Sequence, residues 1–152
     1  MNENFDRAFD WVMKWEGEFS GDPDDSGNWT GGQPGKGILK GTKFGISALA
    51  YPHLDIKSMT KEMAKEIYYK DYWLYNLCQN KPYPIDIIHF NTCINPGKAI
   101  ADRILKEVIT DEMYLLKLIL YYSDLVNKYP IKKRYFVGWM NRVIDLMRLI
   151  NI

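Results

Sequence analysis

The sequence of 152 residues predicts a mainly α-helical domain with a small β-hairpin and loop region near the N-terminus. Three observations predict the helices and the loop region. Apolar residues recur at helical spacing from about Asn4 to Trp15 and again through most of the chain after Thr60. Residues 20–47, SGDPDDSGNWTGGQPGKGILKGTKFGIS, break that rhythm with a Gly-rich, polar stretch. No internal repeat or low-complexity tract interrupts the pattern.

The elements follow in order. Phe5, Ala8, Phe9 and Val12 stand at i, i+3, i+4 and i+7, so the first helix has one apolar face, and Gly17 offers its stop. In the loop region, short hairpin strands are expected around Ile38–Leu39 and Phe44–Ile46. Thr60 can cap a helix with Glu62 in its first turn and an apolar stripe of Met63, Ala64, Ile67, Tyr68 and Leu74. Lys81-Pro82-Tyr83-Pro84 reads as a turn, with Pro84 opening a short helix through Ile88 and Phe90. Asn95-Pro96-Gly97 reads as another start, leading into Ala101, Ile104, Leu105 and Val108. Thr110 opens a helix carrying Leu115, Leu118, Ile119 and Tyr122, which Tyr129-Pro130 ends. The last helix presents Phe136, Trp139, Val143, Leu146 and Ile150.

One domain, residues 1–152, accounts for the length. Hydrophobic residues at 47% and charged residues at 26% suit a soluble domain with a real core. A net charge of +1 carries no nucleic-acid signature. The charge is uneven: residues 1–97 balance to −3 and residues 98–152 to +4. An acidic front suits carboxylate chemistry and a basic back suits an anionic polymer, although solvated surface explains so mild a bias equally well. The N-terminus, MNENFDRAFDW, is acidic and lacks the apolar run of a signal peptide, and no stretch is long enough to span a membrane. The expectation is a protein made in the cytoplasm that stays there unless something else releases it.

Glu16 continues the apolar stripe one turn beyond Val12. A carboxyl on the buried face of a helix end is costly to ionise, and one that keeps its proton near neutral pH can act as a general acid. A helix-terminal Glu leaning into water satisfies the same spacing. Asp25, beside Asp22 and Asp24, can face such a Glu across a cleft if a hairpin folds back, the paired-carboxylate arrangement of glycoside hydrolysis. The alternative is an Asx-rich turn; the EF-hand spacing is missing. The glycines at 31, 32, 35, 37 and 41 do not fit a phosphate loop, because Lys40 precedes Gly41 and Thr42 follows it. Trp29 fits either a sugar platform or an anchor packed into the domain. His53 and His89 stand alone and read as structural. Cys78 and Cys93 lack metal spacing and read as buried free thiols first, a disulfide second. No metal or organic cofactor is expected. Lys132-Lys133-Arg134-Tyr135-Phe136 interleaves basic and aromatic residues, as either a polymer-binding face or a solvated helix side.

Several motifs stand in order along the chain: Glu16-Gly17, Asp22-Pro23-Asp24-Asp25, Thr42-Lys43-Phe44-Gly45-Ile46-Ser47 and Ile67-Tyr68-Tyr69-Lys70-Asp71-Tyr72-Trp73. Phe90-Asn91 through Asn95-Pro96-Gly97 follows, and then Phe136 to Val143. Together they resemble glycoside hydrolase family 108, phage and bacterial N-acetylmuramidases of lysozyme-like fold, with Phe136 to Val143 similar to the family's peptidoglycan-binding C-terminal ending. The resemblance makes residues 1–97 the catalytic part and 98–152 a helical C-terminal part, and it implies action at the cell wall or periplasm after release from the host cytoplasm, or from a virion. The resemblance implies cleavage of the β-1,4 bond between N-acetylmuramic acid and N-acetylglucosamine by a monomer acting on bacterial peptidoglycan, without nucleic acid or membrane insertion. It implies Glu16 as the acid, with Asp25 and Thr42 orienting water or offsetting charge on the sugar. Substrate contacts would come from Trp29, Phe44, Tyr72, Trp73, Asn91 and Asn95. Three departures stand out: Glu18 replaces the second Gly of Glu-Gly-Gly, Asn91 replaces an Asp, and residues from about Asn28 to Gly41 form an insertion that makes Thr30 the runner-up to Thr42. The other reading is a non-catalytic peptidoglycan-binding or structural module on the same fold.

Overall fold

The computed structural model describes residues 3–151. It is mainly helical, with a single small antiparallel hairpin among the described residues, as expected for the lysozyme-like class. Two compact units form: Phe9–Tyr69, and residues 3–8 with 70–151. Helix α1, Glu3–Met13, contributes its first residues to the second of these and the rest to the first. Its predicted apolar face is buried without exception: Phe5, Ala8, Phe9 and Val12 are fully covered.

Phe9–Tyr69 carries the loop region. Strands β1, Thr42–Lys43, and β2, Ile46–Ser47, pair Thr42 with Ser47 and Lys43 with Ile46. The strands thus lie a few residues beyond the expected Ile38–Leu39, which makes only an isolated bridge from Leu39 to Trp29. Phe44 and Gly45 both take positive φ, 51° and 73°, the backbone of a two-residue turn that matches the strand twist. On its other side β1 bridges Ser20, whose N–H donates to the Thr42 carbonyl (2.8 Å) and whose carbonyl accepts from Thr42 N–H (2.9 Å). Helix α2, Lys61–Ile67, starts where predicted: the Thr60 hydroxyl accepts from Met63 N–H at 3.2 Å. Met63 turns outward rather than joining the stripe, while Ala64 and Tyr68 are buried. Phe9 packs against Tyr68 with ring centroids 5.7 Å apart.

A π-helical stretch, Tyr68–Leu74, leads into the other unit. That unit is built around α3, Ile85–Thr92, whose residues from Asp86 to Thr92 are all buried. A helix covered on every side belongs at the centre of its unit, and α3 packs against both α4, Lys98–Glu107, and α5, Asp111–Lys128. Phe5, Trp73 and Phe90 meet edge-to-face at 5.4–5.8 Å. Helix α5 is capped by the Thr110 hydroxyl, which accepts from Met113 N–H, and packs on α6, Lys133–Leu149. Asn95-Pro96-Gly97 leads into α4 as expected, with Gly97 at φ 102° as the residue before its first turn and no side-chain cap. It lies in a π-helical stretch, Cys93–Gly97, continuous with α3 and α4. Cys78 and Cys93 are buried free thiols. Burial pushes the Cys93 thiol up to about 12 and raises that of Cys78 further, so both stay protonated and unreactive. Among the described residues no helix is long and apolar enough to cross a membrane.

Candidate active site

The hairpin is the frame of the candidate site. After α1 the chain turns through Lys14 and Trp15, and Glu16 N–H still donates to the Val12 carbonyl at 3.1 Å. This bond keeps the Glu16 backbone in a last helical turn beyond α1. The Gly17 carbonyl then accepts from Phe44 N–H at 3.0 Å, which ties the helix end to the hairpin turn. Phe44 is a bulky residue in the left-handed region, a conformation that costs about 1–2 kcal/mol. Its backbone is held at both groups: the N–H by Gly17, the carbonyl by the Tyr68 hydroxyl, which donates to it at 3.0 Å. Strain of this kind persists where surrounding bonds over-determine it, and it gathers at functional sites.

Gly45 is the closest point of approach. A Cβ at this position would stand 2.7 Å from Glu16 Oε2 and 2.6 Å from the Tyr68 hydroxyl. The bare face of Gly45 therefore receives both the carboxyl and the phenol, and only glycine permits the φ and the contact together. Glu16 itself is half-buried, between the solvated and the fully covered extremes of the sequence reading.

Asp25 is tied to the hairpin through the turn that it opens. It enters a 3₁₀ turn, Ser26–Asn28, and its Oδ1 accepts from Gly27 N–H at 2.8 Å. The Gly27 carbonyl accepts from Leu49 N–H just beyond β2, and the Asn28 carbonyl accepts from Gly41 N–H just before β1. Asp25 is exposed, with one oxygen engaged in capping its own turn. The Asx-turn reading describes it. Asp22 makes a similar local bond, accepting from Asp24 N–H.

The apparent insertion is a closed excursion. Lys40 N–H and Gly41 N–H both donate to the Asn28 carbonyl, so the loop returns to the residue it left. Within it Thr30 is spent on the loop: its hydroxyl accepts from Ile38 N–H at 2.9 Å and its N–H donates to the Ile38 carbonyl. Thr42 is half-buried on β1, where it pairs with Ser47 and bridges Ser20. Trp29 is half-buried and donates from Nε1 to the Pro23 carbonyl at 2.8 Å, the anchor reading of that residue.

Glu16, Asp25, Trp29, Thr42 and Phe44 all fall in Phe9–Tyr69; Tyr72, Trp73, Asn91 and Asn95 do not. Two of the latter need correcting as substrate contacts. Trp73 is fully buried against Phe5 and Phe90, so its ring face is already occupied. Asn91 is 1% exposed, and its Oδ1 accepts from Arg142 Nε at 2.9 Å. A buried guanidinium requires such an acceptor; Asn91 belongs to the core. Asn95 is exposed but donates to the Tyr122 hydroxyl at 3.0 Å, and Tyr72 is half-buried in the π-helical stretch. Sequence reading missed Tyr68 and Phe19. Tyr68 stands four residues before Tyr72 in the motif that singled out Tyr72 and Trp73. Phe19 lies beside Gly21, Leu39, Lys40, Gly41, His53, Asp55 and Lys57 around a cavity of about 620 Å³. Among the described residues no group of three or more His, Cys, Asp or Glu side chains could hold a metal ion.

Comparison with known proteins matches a family model described as Glycosyl hydrolase 108 over residues 9–97, more than half of the chain. No curated protein and no solved structure matches. The matched segment contains the α1 end, the excursion and the hairpin frame around Gly45; the Phe136 to Val143 segment lies beyond it.

Proposed function

Because the chain belongs to the glycosyl hydrolase 108 family, we propose that it is an N-acetylmuramidase that cleaves the β-1,4 bond between N-acetylmuramic acid and N-acetylglucosamine in bacterial peptidoglycan. One observation carries the residue assignment: the Glu16 carboxyl lies against Gly45 beside the Tyr68 hydroxyl, on a hairpin turn held at both backbone groups. A fixed, half-buried carboxyl at the end of a helix suits a general acid, which must meet its proton acceptor without searching for it.

In this reading Glu16 gives its proton to the glycosidic oxygen as the C–O bond breaks. The leaving sugar departs as a neutral alcohol. Water adds to the anomeric carbon and releases a proton, and Glu16 ends the cycle protonated again. Thr42 orients that water, and Asp25, through the oxygen not engaged by Gly27, offsets positive charge on the sugar. Tyr68 is a positioning residue, acting through Phe44 and Gly45. The enzyme works as a monomer at the cell wall after release from the host cytoplasm, or from a virion. The basic run Lys132-Lys133-Arg134 holds it to the anionic wall.

Clearing of purified cell walls, followed by analysis of the new reducing ends, tests this reading. Wild-type protein is expected to expose N-acetylmuramic acid ends, and Glu16→Gln to lose about 10²–10⁴-fold in rate with an unchanged melting temperature. Glu18→Gln, at an exposed position, is expected to be mild. Wall binding without clearing by the wild type would favour the non-catalytic module instead.

A further inference from the structure

The cavity beside the hairpin is separate from the contact between Glu16 and Gly45, but β1 connects the two. Ser20 and Thr42 bridge, which sets Phe19 and Gly21 on one side of that bridge and Gly41 opposite. Phe19 is 41% exposed, unusual for a Phe so close to a strand. Its ring rests on backbone without side chains. A Cβ on Gly41 would stand 2.5 Å from the ring, and one on Gly21 would stand 3.2 Å away. Two glycines thus seat one edge of the ring and leave the ring open to the cavity, with Leu39 extending the apolar wall.

The rest of the lining is polar, and its backbone is tied to the loop and to β1. Lys40 Nζ donates to the Pro52 carbonyl at 2.6 Å and the Leu54 carbonyl at 3.2 Å, which holds residues 52–55 against the loop. Asp55 is kept ionised: the Ser58 side chain and then the Ser58 N–H hold its carboxyl below the usual range. Lys57 and His53 are exposed on the same rim, and the Lys57 carbonyl accepts from Lys43 Nζ of β1 at 3.3 Å. An open aromatic ring flanked by a carboxylate acceptor and cationic donors has the chemistry to receive a pyranose. The apolar C–H face of a sugar covers a ring, while its hydroxyls need both donors and acceptors at the edge.

We propose that this cavity is a saccharide subsite, in which one pyranose ring of the glycan strand stacks on Phe19 and bonds Asp55, Lys57 and His53 through its hydroxyls. The inference rests on the glycan-hydrolase reading above. The cavity lies within Phe9–Tyr69, on the unit that carries Glu16. It gives the excursion 28–41 a role, since Leu39 and Lys40 at its return are what shape the wall.

The test uses the whole chain and soluble oligomers of N-acetylglucosamine, with saturation-transfer NMR and titration of backbone amide shifts. Wild type is expected to show sugar-induced shifts at Phe19, Asp55 and Lys57. Phe19→Ala is expected to weaken binding about tenfold and to raise KM on cell walls with kcat retained. Phe19→Tyr should restore both, and Lys57→Gln, which leaves the Lys57 backbone bond in place, should weaken binding several-fold without lowering the melting temperature. Oligomer shifts confined to residues outside the cavity, or a Phe19→Ala protein that binds like wild type, would overturn the proposal. Binding is read directly, so a protein that binds sugar at Phe19 but clears no walls refutes hydrolysis while upholding the subsite. Clearing with no response at Phe19 does the reverse.

Discussion

Replacing Gly45 by alanine is the most searching perturbation of the candidate site, because one methyl group probes Glu16 and Tyr68 together. The new Cβ would stand 2.7 Å from Glu16 Oε2 and 2.6 Å from the Tyr68 hydroxyl. Ordinary carbon–oxygen contacts begin near about 3.3 Å. Each oxygen must therefore retreat by roughly 0.6 Å, or the turn must open. Misplacement of reacting groups by about 1 Å can cost about 100-fold in rate, so activity is expected to fall by roughly 10–100-fold. Stability falls for two reasons. Alanine at φ 73° costs about 1–2 kcal/mol, and displacing Tyr68 from the Phe44 carbonyl costs about 1 kcal/mol. Gly35→Ala is the internal control: its φ is 79°, but nothing lies within 4 Å of the added Cβ. It pays the backbone cost alone. At about 2–4 °C per kcal/mol for a domain of this size, the melting temperature is expected to drop by roughly 4–12 °C for Gly45→Ala and by roughly 2–8 °C for Gly35→Ala. Initial rates of wall clearing and thermal melts on both variants decide the matter. A Gly45→Ala protein as active as wild type, or a Gly35→Ala protein equally impaired, would refute the idea that the Glu16–Gly45 contact positions the acid.

Asp25→Asn and Thr42→Ala are each expected to lower the clearing rate, whereas Thr30→Ala should lower the melting temperature by a few degrees and leave the rate near wild type; the opposite pattern for the two threonines would move the water-positioning role into the excursion. Burial, with the charge of Lys81 second, depresses His89 to about 4 from an ordinary 6.5. The unfolded chain then takes up a proton that the folded one refuses, so this contribution is complete above about pH 6.5 and is lost as pH falls towards 4, amounting to about 3 kcal/mol. Melts from pH 7 to 4.5 should slope downward in the wild type and more shallowly in His89→Gln; parallel slopes would exclude His89 as the source. Trp139 is half-buried and stacks on Tyr122 at 4.9 Å. Trp139→Ala should therefore destabilise α5 against α6 by about 2 kcal/mol, less than for a fully buried Trp, with wall binding unchanged. Loss of wall binding at an unaltered melting temperature would show that its ring faces the glycan instead.

The helices were legible because their signals are local. The spacing of Phe5, Ala8, Phe9 and Val12, and the hydroxyls of Thr60 and Thr110 ahead of helical turns, act over a few residues, and each did in the structure what its spacing implied. Order along the chain was enough to bring out the family resemblance and to single out Glu16, because Glu16 continues a helical stripe. Contacts between distant residues could not be read this way. Trp73 and Asn91 carry residue types that suit a sugar site, yet the packing of Phe5 and Phe90 and the buried guanidinium of Arg142 take them into a core. Tyr68 and Phe19 show the converse. Periodicity makes Tyr68 one more apolar residue, and nothing local marks Phe19. Their positions follow from two positive-φ glycines, Gly45 and Gly41, whose missing side chains leave room for a phenol, a carboxyl and a ring. The sequence by itself determined which segments are helical and where a carboxyl ends the first of them. Tertiary structure alone decided what that carboxyl lies against, because the space beside a glycine is defined by whichever distant residues fill it.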